Sequence, residues 1–528
     1  MENRMNKTLG HLLSLAALIA LPALSQAEVS VTPAQTGAPW RWEDRRPIAQ
    51  LFISQQANRT TANPDGYLNQ DVNVTSEEGC AAFRTNLLAY ADRCVKIIKD
   101  MDGQGVVVWD LEGYSQPSMV YVGDPRILPE YAPAMDKVAD EFFQKFREAG
   151  LRTGLTIRPN RIFRIPPEGV AKWGKWGYLL YDDQKDNVVK ELGERIAYAK
   201  KRWGCTLFYM DSNGYETWEN GKKKSVTIPS TMLKQLRDLH PDVLIIPEHP
   251  TPGGHEWTAQ YRELRGGWKG TPDAERQHYP GAFSVLSLGG GVPDAIEQNW
   301  EALATSIAQG DVAFFEGWYP SGGNREVKEL YRQADYQKRA AEVEPGASLE
   351  RLLTLSGDKT TAVRFNAVRA LTVKRDVAAM PRLQAMLKEE QEWLVRKEVI
   401  VALGMIQGTD AIPMLVAEVE RANYGEHLAA LEQLRKHGES ALPAALKLAK
   451  GAKSQTRVDA SSLLGSIATK PAAEALATLL GDKDPQVRKQ AAACFKKIPG
   501  AVKMIVPALG DDGKDPDAAL ELDGHAAR

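Results

Sequence analysis

Acidic side chains stand at or just beyond the ends of several short apolar runs in this chain. Asp110 and Glu112 follow Val106 to Trp109, Asp211 follows Leu207 to Met210, Glu248 follows Val243 to Ile246, Glu263 falls late in AQYREL (Ala259 to Leu264), and Glu316 follows VAFF. Carboxyl groups brought together from separate strands can act as nucleophile, acid and base. Hydrolysis of a glycosidic bond asks for two of them flanking the scissile bond, one ionised and one protonated. Trp109, Tyr114, Tyr209, Tyr215, Trp257, Tyr261, Trp318 and Tyr319 lie close to the same positions. Aromatic rings stack on the apolar faces of sugars, whose hydroxyls bond carboxylates and arginine. Asp110, Glu112, Arg158, Asn213, Tyr261, Glu263 and Trp318 are the expected substrate contacts. Each also has a structural use: Asp211 can open a turn through its own side chain, Asp110 and Arg158 can pair across adjacent strands, and Trp318 can plug a mouth.

Other chemistries find less support. Gly289 to Gly291 followed by Pro293 has neither the spacing nor the lysine of a phosphate-binding loop. His249 and His255 are not at the helical spacing of a zinc hydrolase, so no metal and no cofactor are expected. Cys205 begins a buried run and reads as core filler.

These acids need a scaffold that gathers strand ends. From about residue 45 to 343, runs of strand character alternate with amphipathic helical segments, the pattern of a parallel sheet covered by helices. The runs are IAQLFIS, GVVVWDLEG, RTGLTIRP (which carries Arg158), CTLFYMDSNGY, VLIIPEHP, AQYREL, AFSVLSLGGG and VAFFEGWYP. AQYREL reads nearly as well as a helix. With it, the strands complete a TIM-type (β/α)₈ barrel, whose strand ends meet at one mouth. A helix is expected behind an Asp186 cap, with Gly204 as its stop.

Beyond Glu344 the chain repeats itself. Arg364, Arg396, His427, Arg457 and Arg488 recur at spacings of 32, 31, 30 and 31, each followed seven residues later by Leu371, Leu403, Leu434, Leu464 or Phe495. The segments LVRKEVIVALGMIQGTDAIPMLVAEV and PQVRKQAAACFKKIPGAVKMIVPAL resemble HEAT repeats. The resemblance runs from about 347 to 508 and implies a C-terminal all-α solenoid able to dock a protein partner. Residues 511–528 form an acidic tail, expected to be disordered.

VVVWDLEG, GLRTGLTIRP and LFYMDSNG resemble the strand-2, strand-3 and strand-4 motifs of the clan D α-glycosidases of families 27 and 36. The resemblance implies a retaining α-glycosidase acting on oligo- or polysaccharide, with Asp211 as nucleophile. Two departures stand out: Tyr209 occupies the place of a family lysine, and no clear copy of the strand-6 acid motif is present, Glu263 and Asp273 being the nearest residues. On strand position Glu248 is the expected general acid/base, with Glu263 next. The alternatives are a non-catalytic carbohydrate-binding barrel and a protein-interaction scaffold built on the repeats.

The 66 basic and 68 acidic residues balance, which gives no reason to expect nucleic acid as a partner. Arg4, Lys7, the apolar run Leu12 to Leu24 and the small residues to Ala27 have the pattern of a secretory signal, residues 1–27. The mature protein is then expected to be periplasmic or secreted. No later stretch is read as a membrane span. Of four cysteines, Cys80 and Cys94 can pair only if Cys80 lies outside the helix that carries Cys94.

Overall fold

The computed structural model describes residues 41–114, 122–164, 176–263, 273–288, 295–319, 322–344, 346–421 and 425–501. The expected signal (1–27) and the acidic tail (511–528) lie outside them.

Eight parallel strands form the N-terminal part: β1 Ile48–Leu51, β2 Gly105–Val108, β3 Thr153–Ile157, β4 Cys205–Met210, β5 Leu244–Pro247, β6 Gln260–Glu263, β7 Ser284–Ser287 and β8 Val312–Glu316. Each pairs with its neighbour in chain order, and β8 returns to β1 with Phe314 opposite Ile48. The remaining seam, β5 against β6, is bridged by Ala259 N–H donating to Ile245 O at 3.1 Å. Gln260–Glu263, within AQYREL, is therefore a strand. Helices follow the strands: α1 Glu77–Asp100, α2 Pro133–Glu148, α3 Val188–Trp203, α4 Ser230–Leu239, α5 Asp273–His278, α6 Trp300–Ala308 and α7 Gly322–Lys338.

Both faces of the strands are covered, so their sequences are apolar without alternation. In β4, Leu207 and Tyr209 point into the barrel lumen while Phe208 and Met210 meet the helices. The lumen is filled. Its upper layer is aromatic, with Trp109 and Tyr209 ring centroids 4.3 Å apart, Tyr209 and Tyr261 5.1 Å, and Trp109 and Phe314 5.5 Å. Any chemistry must happen above these rings.

Helix α3 ends at Gly204, as expected, in the left-handed region (φ +66°). Its cap differs from the expectation: Asn187 accepts from Lys190 N–H at 3.0 Å, whereas Asp186 is drawn away to Asp182 N–H and Arg161. Cys80 and Cys94 both sit in α1 and are free thiols.

Two hairpins grow from the mouth, Asn160–Arg164 with Trp176–Leu180 after β3, and Gly214–Glu219 with Lys222–Thr227 after β4. Asp182 bridges to Glu216, joining them into one ribbon.

The repeats are helix pairs from Leu349–Leu355 to Pro485–Lys497. Their recurring arginines share a task. Arg364 donates to the carbonyls of Asp358 and Lys359 and to both oxygens of Glu390. Arg457 does the same to Gly451, Ala452 and Asp482. Each guanidinium thus closes the turn before it and reaches a carboxylate of the following repeat. Trp393–Arg421 is, against the sequence reading, long and apolar enough to cross a membrane. In the fold it is two repeat helices, Trp393–Gln407 and Ile412–Arg421, parted at Gly408.

Barrel and repeats belong to one compact unit. Leu303, Ile307 and Leu330 of the barrel helices share one core with Leu352, Val368, Leu394 and Leu403 of the repeats. Trp300 and Trp393 meet edge to face at 5.6 Å, and Trp393 donates its indole N–H to Glu329 at 3.0 Å.

Candidate active site

The backbone itself carries Asp211 to the rim. Its N–H continues the ladder past the end of β4 by donating to Ile157 O at 3.0 Å, and Glu248 N–H likewise donates to Met210 O at 3.0 Å. Asp211 and Glu248 are thereby held on neighbouring strand ends. Directly after Asp211, Ser212 adopts a left-handed conformation, φ +46°. Such a backbone costs a non-glycine residue on the order of 1 kcal/mol and needs holding.

Three contacts hold it. Ser212 N–H donates to Glu248 Oε2 at 2.6 Å, and Arg158 Nη2 donates to Ser212 Oγ at 2.9 Å. The Asn213 amide closes a two-way clamp on His249, donating to its carbonyl at 2.9 Å and accepting from its N–H at 2.6 Å. Asn213 is fully buried. The expected substrate contact Asn213 is instead a stitch between the β4 and β5 turns.

Arg158, delivered by β3 as expected, does not pair with Asp110. Its Nε lies 2.9 Å from Asp211 Oδ2. Gly123 permits this approach: it has φ +67°, and a Cβ there would come within 2.7 Å of Arg158. The neighbouring carboxyl group is that of Glu248, held on the next strand end. Burial pushes the Asp211 carboxyl up to about 7, with Arg158 pulling it down and Glu248 pushing it further up.

Below this pair lies Tyr209, its hydroxyl held above the usual phenol range by burial first and then by Tyr261, Glu248, Asp211 and Glu263. Glu263 is the last residue of β6, is solvent-exposed, and accepts from Tyr261 Oη–H at 3.2 Å. The sequence expectation that brought Asp211, Glu248, Glu263 and Tyr261 together describes one cluster. Trp318, half-buried, packs edge-on against Phe52 at 5.2 Å, and Phe52 leans on Trp109 at 5.6 Å.

The β2 acids are turned to other work. Asp110 is 1% exposed and accepts from Ile53 N–H, Ser54 N–H and Ser54 Oγ–H at 2.9, 2.8 and 2.6 Å, tying the β1 end to the β2 end. Burial pushes it up to about 6. Glu112, 2% exposed, is pushed up to about 7 by burial, and its Oε1 finds no hydrogen-bond partner among the described residues. It lies in the field of Asp124 and of the fully buried Arg195.

Cys205 is fully buried at the start of β4, its thiol pushed up to about 12 by burial. Among the described residues no group of three or more His, Cys, Asp or Glu is arranged to hold a metal ion. Away from the mouth, a groove of about 1130 Å³ runs between α6 and the repeats, with Lys397, Glu398 and His427 in its walls.

No curated protein sequence matches the chain. Among solved structures, an α-N-acetylgalactosaminidase from Bifidobacterium bifidum in complex with GalNAc is 13% identical, with 55% of this chain and 50% of that one covered and a TM-score of 0.31. A maltogenic α-amylase from Thermotoga neapolitana is 10% identical over 56% of this chain and 77% of that one, TM-score 0.31. The complex of CpcE and CpcF of the phycocyanin lyase from Nostoc is 22% identical over 32% of this chain and 72% of that one, TM-score 0.25. A family profile for HEAT repeats matches residues 349–435, within the helix pairs described above.

Proposed function

We propose that the barrel is a glycoside hydrolase of the retaining type, acting on oligo- or polysaccharide outside the cytoplasm, with Asp211 as its nucleophile. The observation that carries this reading is the cluster of three carboxyl groups, Asp211, Glu248 and Glu263, on the consecutive ends of β4, β5 and β6 above a floor of aromatic rings. An apolar floor receives a sugar face. The carboxyl groups attack the anomeric carbon and serve the leaving oxygen.

The general acid/base is assigned to Glu263 in preference to Glu248. A retaining pair stands about 5 to 5.5 Å apart, so that a glycosidic bond fits between the two groups. Asp211 and Glu248 end adjacent strands, and Glu248 Oε2 is already taken by Ser212 N–H at 2.6 Å. Glu263 sits one strand further on and faces solvent. In the reaction Asp211 displaces the aglycone and forms a glycosyl ester, while Glu263 gives its proton to the departing oxygen. Glu263 then takes a proton from the water that hydrolyses the ester. Arg158 keeps the attacking carboxylate oriented.

A second reading has an observation of its own. Tyr209 replaces the cation that the resembling family keeps two residues before its nucleophile, which favours a barrel that binds glycan without cleaving it. The repeats then serve to dock a protein partner in either case. Incubation with a panel of aryl α- and β-glycosides separates the readings. Turnover that disappears in Asp211→Asn supports the hydrolase, whereas saturable binding without turnover supports the binder.

A further inference from the structure

One acid at the mouth has no part in the cluster described above. In β8, Val312 and Phe314 belong to the luminal core, while Phe315 and Ala313 belong to the core under the helices. Alternation along the strand therefore turns Glu316, its last residue, toward the lumen. The same alternation brings Asp211, Glu248 and Glu263 there, one step above Tyr209, Ile246 and Tyr261. Glu316 thus faces the mouth from β8, while the other three acids face it from the ends of β4, β5 and β6.

The backbone of Glu316 is fixed. Its N–H donates to Asn324 Oδ1 at 3.2 Å, its carbonyl accepts from Asn324 Nδ2 at 2.7 Å, and Gly317 N–H continues the ladder to Gln50 O at 2.9 Å. The side chain, half-buried, makes no hydrogen bond or ion pair among the described residues. On the strands to either side, Gln50 of β1 and Ser287 of β7 take the luminal positions that follow Ile48 and Val285. Each is 7% exposed, and Gln50 Nε2 donates to Ser287 Oγ at 3.4 Å across the width of β8. A carboxyl group that has lost part of its water and gained no partner is ready to accept hydrogen bonds from a ligand.

We infer that Glu316, flanked by Gln50 and Ser287, recognises hydroxyls of the bound sugar, and that the mouth takes a neutral sugar in preference to an anionic one. This rests on the sugar-binding reading of the mouth, which hydrolase and binder share, and does not need cleavage. The two oxygens of one carboxyl group match two neighbouring hydroxyls of a pyranose. Among the luminal positions at the described strand ends, four acids meet one cation, Arg158, which is already engaged with Asp211. A uronic or sulfated sugar would bring a further negative charge against them.

The test uses the full-length protein with 4-nitrophenyl glycosides of neutral hexoses, their monodeoxy analogues and the matching hexuronides. Kd is read by calorimetry, and kcat/KM wherever there is turnover. In the wild type, removing a hydroxyl that Glu316 holds should weaken the probe about tenfold or more. In Glu316→Ala the parent glycoside should weaken by a similar factor, and the same deoxy change should then cost less than about threefold, because its partner is already gone. The hexuronides should bind the wild type at least about tenfold more weakly than the neutral probes. Deoxy losses of equal size in wild type and variant, as a merely structural role would give, would overturn the inference, and so would hexuronides bound as tightly as hexosides. Should Glu316→Ala fail to fold, Glu316→Gln, which keeps the size of the side chain, repeats the cycle. Binding that depends on Glu316 without any turnover would defeat the hydrolase reading and leave the inference in place. Turnover with equal deoxy losses would do the reverse, and a protein that binds none of the probes would overturn both.

Discussion

Arg158 Nε and Asp211 Oδ2 lie 2.9 Å apart, with the two side chains only 12% and 10% exposed. Burying an ion pair so deeply at the rim of a barrel is costly, and removing one partner leaves an uncompensated charge. Arg158→Gln should therefore raise the protonation range of Asp211 above about 7, its present position, because the group pulling it down is gone. The acid limb of kcat/KM against pH should move upward by about one unit or more. A limb that stays in place would show that the pair does not control the reacting group.

Gly123 makes that pair possible. With φ +67° and Arg158 only 2.7 Å from the position of an added Cβ, Gly123→Ala forces either the turn or the guanidinium to move. The expected result is a loss of about tenfold or more in kcat/KM from misplacement of Arg158. Turnover equal to wild type would place Arg158 outside the machinery.

Glu112 gives a pH-dependent prediction of a different sort. Folded, it keeps its proton to about 7 against an ordinary 4.5, because burial disfavours the charged form. Between those values the folded chain holds a proton that the unfolded chain has released, so this contribution to stability is greatest below the window and declines as pH rises through it. Glu112→Gln removes the buried charge. Its stability relative to wild type should grow with pH and reach a gain of about 1–2 kcal/mol at alkaline pH, measured by thermal or denaturant unfolding. A gain that is largest at acid pH would contradict the assignment.

The repeats are not a detachable appendage. Trp300, Leu303 and Leu330 of the barrel helices are buried in a core completed by Leu352, Leu394 and Leu403. Deletion of residues 345–528 should expose that surface and give an insoluble or non-cooperatively melting barrel. A soluble fragment with a sharp unfolding transition would refute the shared core.

Much of this was legible before any coordinates. Val106 to Trp109, Leu207 to Met210 and Val243 to Ile246 are too apolar and too short to be anything but strands buried on both faces, and the acid after each marks a rim. AQYREL was ambiguous because Tyr261 and Leu264 suit either period; pairing with β7 settles it as a strand. What the residues did not reveal is where each acid points. Asp110 and Asp211 look alike in sequence, yet one is consumed by Ile53 and Ser54 while the other meets Arg158 and Glu248. Asn213 reads as a ligand contact because its partner, His249, arrives from a strand 36 residues away. The turn formers after Asp211 announced a bend, but the left-handed Ser212 and its hold by Glu248 arise only when β4 and β5 lie side by side.

The central claim is that Asp211 attacks sugar carbon. Incubating the protein with a fluoro-sugar bearing an activated leaving group, which glycosylates the carboxylate faster than the resulting ester is hydrolysed, should trap a glycosyl ester, detectable by intact mass and by peptide mapping. The account predicts one added sugar on the peptide that contains Asp211, absent in Asp211→Asn. A label on any other carboxylate, or turnover that continues with no covalent adduct and with Asp211→Asn fully active, would contradict it.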